Sequence, residues 1–137
     1  MPMITNMAGM VARRLPKAIS PKGHAIADYV TIAGFFLGAA MFWRRNKHAA
    51  LSALICGGAE LAVSLLTDYP GGVTDAISFP THLKLDLGLA AMTAAMPEFM
   101  GFDDDSKKWF FTLQSGQIAV VTELTGDRNL RPIRRAA

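Results

Sequence analysis

Twice the chain sets an aspartate four residues after a histidine: His24 and Asp28 in "HAIAD", His82 and Asp86 in "HLKLD". On a helix that spacing puts both side chains on one face, one turn apart. A histidine beside a carboxylate can donate a ring N–H to it, ligate a metal through the other nitrogen, or carry a proton near neutral pH. Each pair stands at the mouth of a long apolar run. Two more acids, Glu60 and Glu123, fall near the ends of runs that return to the same side. The candidate polar cluster or ligand site is His24, Asp28, Glu60, His82, Asp86 and Glu123. Within it, His24, Asp28, His82 and Asp86 are the candidate metal ligands.

Three chemistries stay open. The groups can hydrogen-bond across helices and fix the register of a bundle. They can hold a metal, as carboxylate-rich bundles do, although those pair Glu with His at i, i+3 and the spacing here is i, i+4. Two facing histidines could alternatively ligate a haem iron axially. They can also handle protons or ions, as ionisable groups inside membranes often do. No cofactor is favoured. Nucleophile-elbow, phosphate-loop, CxxC and HExxH patterns are all missing, which points away from an enzyme.

The elements that carry these residues are apolar. Hydrophobic residues make up 51% of the 137-residue chain and charged ones 18%, below the roughly 25% usual for soluble domains. The shortage is local: no charge lies between Tyr29 and Trp43, and only Glu60 between Ala49 and Thr67. A soluble four-helix bundle needs a polar stripe on every helix, which the first two runs do not offer. Four spans are expected, at 21–43, 49–67, 80–102 and 109–125, each near the length that crosses hydrocarbon. Pro97 should kink the third or end it early. Ahead of them, Met3, Ile4, Met7, Met10 and Val11 follow helical spacing and precede Arg13 and Arg14, which reads as a short amphipathic surface helix or a targeting segment.

Sliding the sequence by 58 residues lays Ser20 on Ser78, His24 on His82 and Asp28 on Asp86. In the same register Gly58 meets Gly116, Val63 meets Val121, Leu66 meets Leu124 and Thr67 meets Thr125. Two blocks in register across a whole helical hairpin read as a duplication. The expected architecture is an all-α bundle of four transmembrane helices built from two tandem hairpin repeats. Its parts are an amphipathic segment at 1–19, repeat 1 at 20–77, repeat 2 at 78–126 and a basic tail at 127–137. Besides pairing within its own helix, each histidine has a second partner on offer by symmetry, His24 with Asp86 and His82 with Asp28 across the centre.

Charge orients the bundle. Arg13, Arg14, Lys17, Lys22, Arg128, Arg131, Arg134 and Arg135 share the side of the termini. Arg44, Arg45, Lys47, Lys107 and Lys108 lie on the other, the last two beside three aspartates. The bias places both termini in the cytoplasm of a multi-pass protein of the inner (plasma) membrane. The expected partners are the lipid bilayer and a membrane protein or a second copy of the chain. The net charge of +3 sits in basic ends that suit anionic headgroups, and no nucleic-acid-binding motif is visible. The single cysteine, Cys56, excludes an intrachain disulfide and reads as a small buried hydrophobe. "GFFLG", with Gly57 and Gly58, marks close helix packing, and its GxxxG spacing suits a dimer face as well as packing within the chain. Trp43, Trp109 and Tyr69 suit interface depth, and His48, in a basic turn, reads as solvated.

The stretches "HAIADYV", "LLTDYPGG", "THLKLDLGLAAMTAAMPEFMGF" and "ELTGD" resemble the bacterial SPW-repeat membrane proteins, over roughly residues 20–126. In that family each repeat pairs a His…Asp helix start with a Pro-Trp ending. Here the second repeat keeps Pro97 but has Glu98 where tryptophan is expected, and the first reads "GAAMFW" with no proline. The resemblance implies a small helical integral membrane protein and brings no catalytic activity. The favoured function is a structural or accessory membrane module that binds a partner or lipid. The alternative is a metal-, haem- or proton-binding protein that uses the His/Asp cluster.

Overall fold

A computed structural model of the chain describes residues 17–126. The amphipathic helix and the basic tail read from the sequence lie outside these residues, apart from the few that adjoin the first helix. Among the described residues there are four helices: α1 Pro21–Phe42, α2 Lys47–Leu65, α3 Phe79–Phe99 and α4 Asp105–Leu124. The same residues hold no strands, only two isolated parallel bridges, Ile19 with Thr125 and Thr67 with Ile77.

Each helix starts on a residue chosen for that job. The Ser20 hydroxyl accepts from the Gly23 N–H at 3.1 Å, and Pro21 supplies a fixed φ where no N–H is needed. Ser78 and Pro80 repeat the arrangement in α3. Asn46 caps α2 by accepting from Ala49 N–H, and Asp104 caps α4 by accepting from Ser106 N–H. Both helix pairs start 58 residues apart, Pro21 with Phe79 and Lys47 with Asp105.

The endings are equally local. After α2 the chain turns through Pro70, Gly71 and Gly72. A Cβ on Gly72 would collide with the Thr67 carbonyl, so only glycine allows the turn. α3 closes within a turn of Pro97, and Gly101 at φ +68 leads the chain out.

The helices pack α1 on α2, α2 on α3, α3 on α4 and α4 on α1, which makes a ring of neighbours with α1 and α3 on one diagonal. Three of the four glycines expected to mark close packing do so. An added Cβ would press on Gln114 at Gly34, on Phe110 at Gly38 and on the Phe35 Cβ at Gly57. The "GFFLG" face is thus spent inside the chain, against α4. Gly58 is a correction: its missing side chain would meet open space, as would that of Gly116.

The core is divided. Toward the α1–α2 and α3–α4 turns it is apolar, with Phe35, Ala39, Ala53, Cys56, Met96 and Phe111 packed together. Toward the other end it is polar, with His24, Asp28, Glu60, Thr67, His82, Asp86 and Thr125 all buried. The outside is the reverse: Val30, Leu37 and Met41 are each 64% exposed or more, and Ile26, Leu54, Ile55, Leu87, Leu113 and Val120 also face outward. Two helices, α1 and α2, are long and apolar enough to cross a membrane; α3 and α4 are less apolar.

Candidate functional site

Four side chains from two diagonal helices converge at the polar end. His24 and Asp28 come from α1, His82 and Asp86 from α3, and one ligand atom from each lies within 4.8 Å of all the others. His24 Nε2 is 2.8 Å from Asp86 Oδ2 and 3.3 Å from Asp28 Oδ1. His82 Nε2 is 3.0 Å from Asp28 Oδ2 and 3.1 Å from Asp86 Oδ2. The shorter carboxylate contact of each histidine is thus with the aspartate of the other helix.

Helices α2 and α4 contribute the backs of the rings. Thr67 follows the end of α2 and Thr125 the end of α4. Thr67 Oγ1 donates to the Val63 carbonyl at 2.5 Å, and Thr125 Oγ1 donates to the Val121 carbonyl at 2.6 Å. A hydroxyl has one hydrogen, so each oxygen is left as an acceptor. Each lies 2.7 Å from the Nδ1 of the other repeat's histidine: Thr67 at His82, Thr125 at His24. Both Nδ1 atoms therefore carry the proton and donate, and both Nε2 atoms face the carboxylates.

Paired backbone bonds hold the threonines in place. Ile19 N–H donates to the Leu124 carbonyl and Gly126 N–H to the Ile19 carbonyl. Fifty-eight residues on or back, Ile77 N–H donates to the Leu66 carbonyl and Asp68 N–H to the Ile77 carbonyl. The duplicated register thus extends from side chains to main chain. Matching contacts 58 residues apart let each half complete the other's site.

Tyr69 breaks that symmetry. Expected at interface depth, it is instead 2% exposed, and its hydroxyl donates to Asp28 Oδ2 at 2.8 Å. This is a correction with a local cause. The Pro70–Gly71–Gly72 turn folds the ring inward, where it packs on the His82 ring at 4.9 Å and on Phe79 at 5.7 Å. Burial, then the Asp28 charge, pushes the Tyr69 phenol up, so it remains an O–H donor. Ala25, Tyr69, Phe79 and half-buried Leu83 form an apolar cap over the cluster.

The two other acids part company. Glu60 is 1% exposed and within electrostatic reach of all four central groups. Glu123 is half-buried and outside the converging four; its backbone carbonyl accepts from Lys17 Nζ at 2.6 Å. α4 instead offers the cluster Thr125, two residues further on. His48 lies far from this layer, with Nδ1 at 2.8 Å from the Met100 carbonyl.

Geometry also decides against haem. The His24 and His82 rings stand edge to face with centroids 5.2 Å apart, and both carboxylates lie against their Nε2 atoms. A macrocycle needs a flat slot between its two axial histidines, and this space is filled. The chain matches no family model, no curated protein and no solved structure. What the site does must be argued from its own atoms.

Proposed function

We propose that the chain is a four-span integral membrane protein acting as a structural or accessory module. Its buried His/Asp layer fastens two hairpins into one body, and its apolar exterior faces lipid or a membrane partner. The observation that carries this reading is the inverted polarity. The buried ionisable groups His24, Asp28, Glu60, His82 and Asp86 gather at one end of the interior with several buried hydroxyls, while large aliphatic side chains line the outside. In water that arrangement exposes the surface that folding normally hides. In a bilayer it is the low-energy one, because polar groups find partners only inside the bundle.

Helices α3 and α4 share the membrane with α1 and α2 by this reading. They pack along them in one ring and repeat their register. Their polar content is accommodated. Asp86 is in the central cluster, Gln117 accepts from the Thr31 hydroxyl at 2.7 Å, and Gln114 donates to the Thr31 carbonyl. Exposed Lys84 and Glu98 lie near the two ends of α3, where long side chains reach the headgroups. The basic ends favour cytoplasmic termini, and kinship with SPW-repeat proteins, carried by the motifs quoted above, belongs to the same proposal.

Membrane fractionation tests the reading. The full chain should stay with membranes through an alkaline carbonate wash and need detergent for extraction. Recovery as a monodisperse protein in plain buffer would overturn it.

A further inference from the structure

The central layer has more donor capacity than the protein uses. Among the described residues, the buried polar atoms in or beside it that make no hydrogen bond include His82 Nε2, Asp86 Oδ1 and Glu60 Oε2. His82 Nε2 is the informative one. It sits 3.0 and 3.1 Å from two carboxylate oxygens, shared between them, and makes a well-formed hydrogen bond to neither. A plain ion-pair lock would aim an N–H at one oxygen, as His24 does at Asp86.

We propose that His24 Nε2, His82 Nε2 and one oxygen each of Asp28 and Asp86 form a closed four-coordinate site for a divalent transition-metal ion of the Zn2+ class. Metal–ligand bonds of about 2.0–2.1 Å in a tetrahedron put neighbouring donors about 3.3–3.4 Å apart. The N···O separations are 2.8 and 3.1 Å to Asp86 Oδ2, 3.0 Å to Asp28 Oδ2 and 3.3 Å to Asp28 Oδ1, and one ligand atom from each residue lies within 4.8 Å of the other three. An ion would part the closest pair, at 2.8 Å, by about 0.6 Å and would draw together any pair near the 4.8 Å limit by about 1.4 Å. The remaining atoms fit the shell such a site requires. Metal-bound histidines donate their other N–H to an oxygen that fixes the tautomer, and Thr67 and Thr125 do this for both rings. Ligating carboxylates are themselves held by hydrogen bonds, and Tyr69 holds Asp28.

The donor set also selects the ion. Two nitrogens and two carboxylates are too few and too nitrogen-rich for Ca2+ or Mg2+, which take six or more oxygens. No thiolate is at hand for soft ions, since Cys56 belongs to the apolar cluster at the other end. Two carboxylates neutralise one divalent charge, so the occupied centre carries no net charge into a low-dielectric interior. With four protein ligands the site keeps no open position, which makes the ion a staple between hairpins and not a hydrolytic centre. This goes beyond the membrane reading and does not depend on it, because it can be tested in detergent or in buffer alike.

The test uses tag-free full-length protein stripped with a chelator and titrated with Co2+ and Zn2+. The proposal predicts one Co2+ per chain with the visible absorption of a tetrahedral ion, displaced by equimolar Zn2+ and untouched by millimolar Mg2+ or Ca2+. His24→Ala and His82→Ala should each abolish the spectrum. Thr67→Val and Thr125→Val should keep the helical signal and weaken binding by about 10–100-fold. The near-isosteric threonine variants keep the test decisive if a histidine variant fails to fold. Folded wild-type protein that takes up no Co2+, or binding that survives His82→Ala, would overturn the proposal.

Discussion

His24 and Asp86 stand 62 residues apart in sequence and meet at 2.8 Å inside the bundle, closer than His24 comes to Asp28 on its own helix. The bonds that matter most to the assembled fold therefore run between repeats. A double-mutant cycle should show it. His24→Ala with Asp86→Asn should give a coupling energy of roughly 1–3 kcal/mol, and His24→Ala with Asp28→Asn a smaller one. Each single change leaves a buried partner uncompensated and should cost roughly 3–5 kcal/mol. Chemical denaturation in detergent of the three single and two double variants reads both couplings, and a larger coupling within α1 would contradict the cross-repeat account.

The glycines divide into two classes that mutation should separate. Gly38 lies against the Phe110 ring, so Gly38→Ala overpacks the α1–α4 contact and should cost about 1–3 kcal/mol. Gly58 and Gly116 face open space within helices. Alanine there should stabilise by roughly 0.5–1 kcal/mol through lower chain entropy. Melting temperatures should move in opposite directions, down for Gly38→Ala and up for Gly58→Ala.

Outside the helical bundle core, Asp104 gives a signature of the α3–α4 turn. The Lys107 ammonium bonded to it, then the Ser106 hydroxyl, lower its carboxyl to about 2. A depressed folded-state value means that the contribution is present above the unfolded value of about 3.9 and is lost as pH falls toward 2. An NMR titration should find its midpoint near 2 in the wild type and nearer the ordinary value in Lys107→Ala. An unchanged midpoint in that variant would show that the cap, and not the ion pair, sets it.

Much of the site was legible in the sequence because duplication and helical spacing are both written there. The i, i+4 pairs put His24 with Asp28 and His82 with Asp86, and the 58-residue register offered each histidine the other repeat's aspartate. Thr67 and Thr125 were visible as a matched pair, but their role was not. A threonine after a helix end takes its partner from a helix that the sequence does not place beside it. Tyr69 was misjudged because "DYPGG" reads as a wet turn, and nothing local says that the turn folds inward. Glu123 was misjudged by less than one helical turn: α4 presents Thr125 to the cluster, and helix rotation is set by packing against α1 and α3, not by local pattern. Helix starts were well marked by Ser20, Asn46, Ser78 and Asp104, whose side chains each accept an N–H of the first turn.

The central claim, four spans with the polar layer on the side of the termini, is tested most directly by cysteine accessibility in intact cells. The background is Cys56→Ala, which removes a buried native thiol. Single cysteines are then placed at Asn46, Asp75 and Asp104, which lie in the three turns between helices. The account predicts that Asn46→Cys and Asp104→Cys react with an impermeant reagent from outside, and that Asp75→Cys reacts only after permeabilisation. Labelling of Asp104→Cys on the same side as Asp75→Cys would mean that α3 does not cross, and would contradict it.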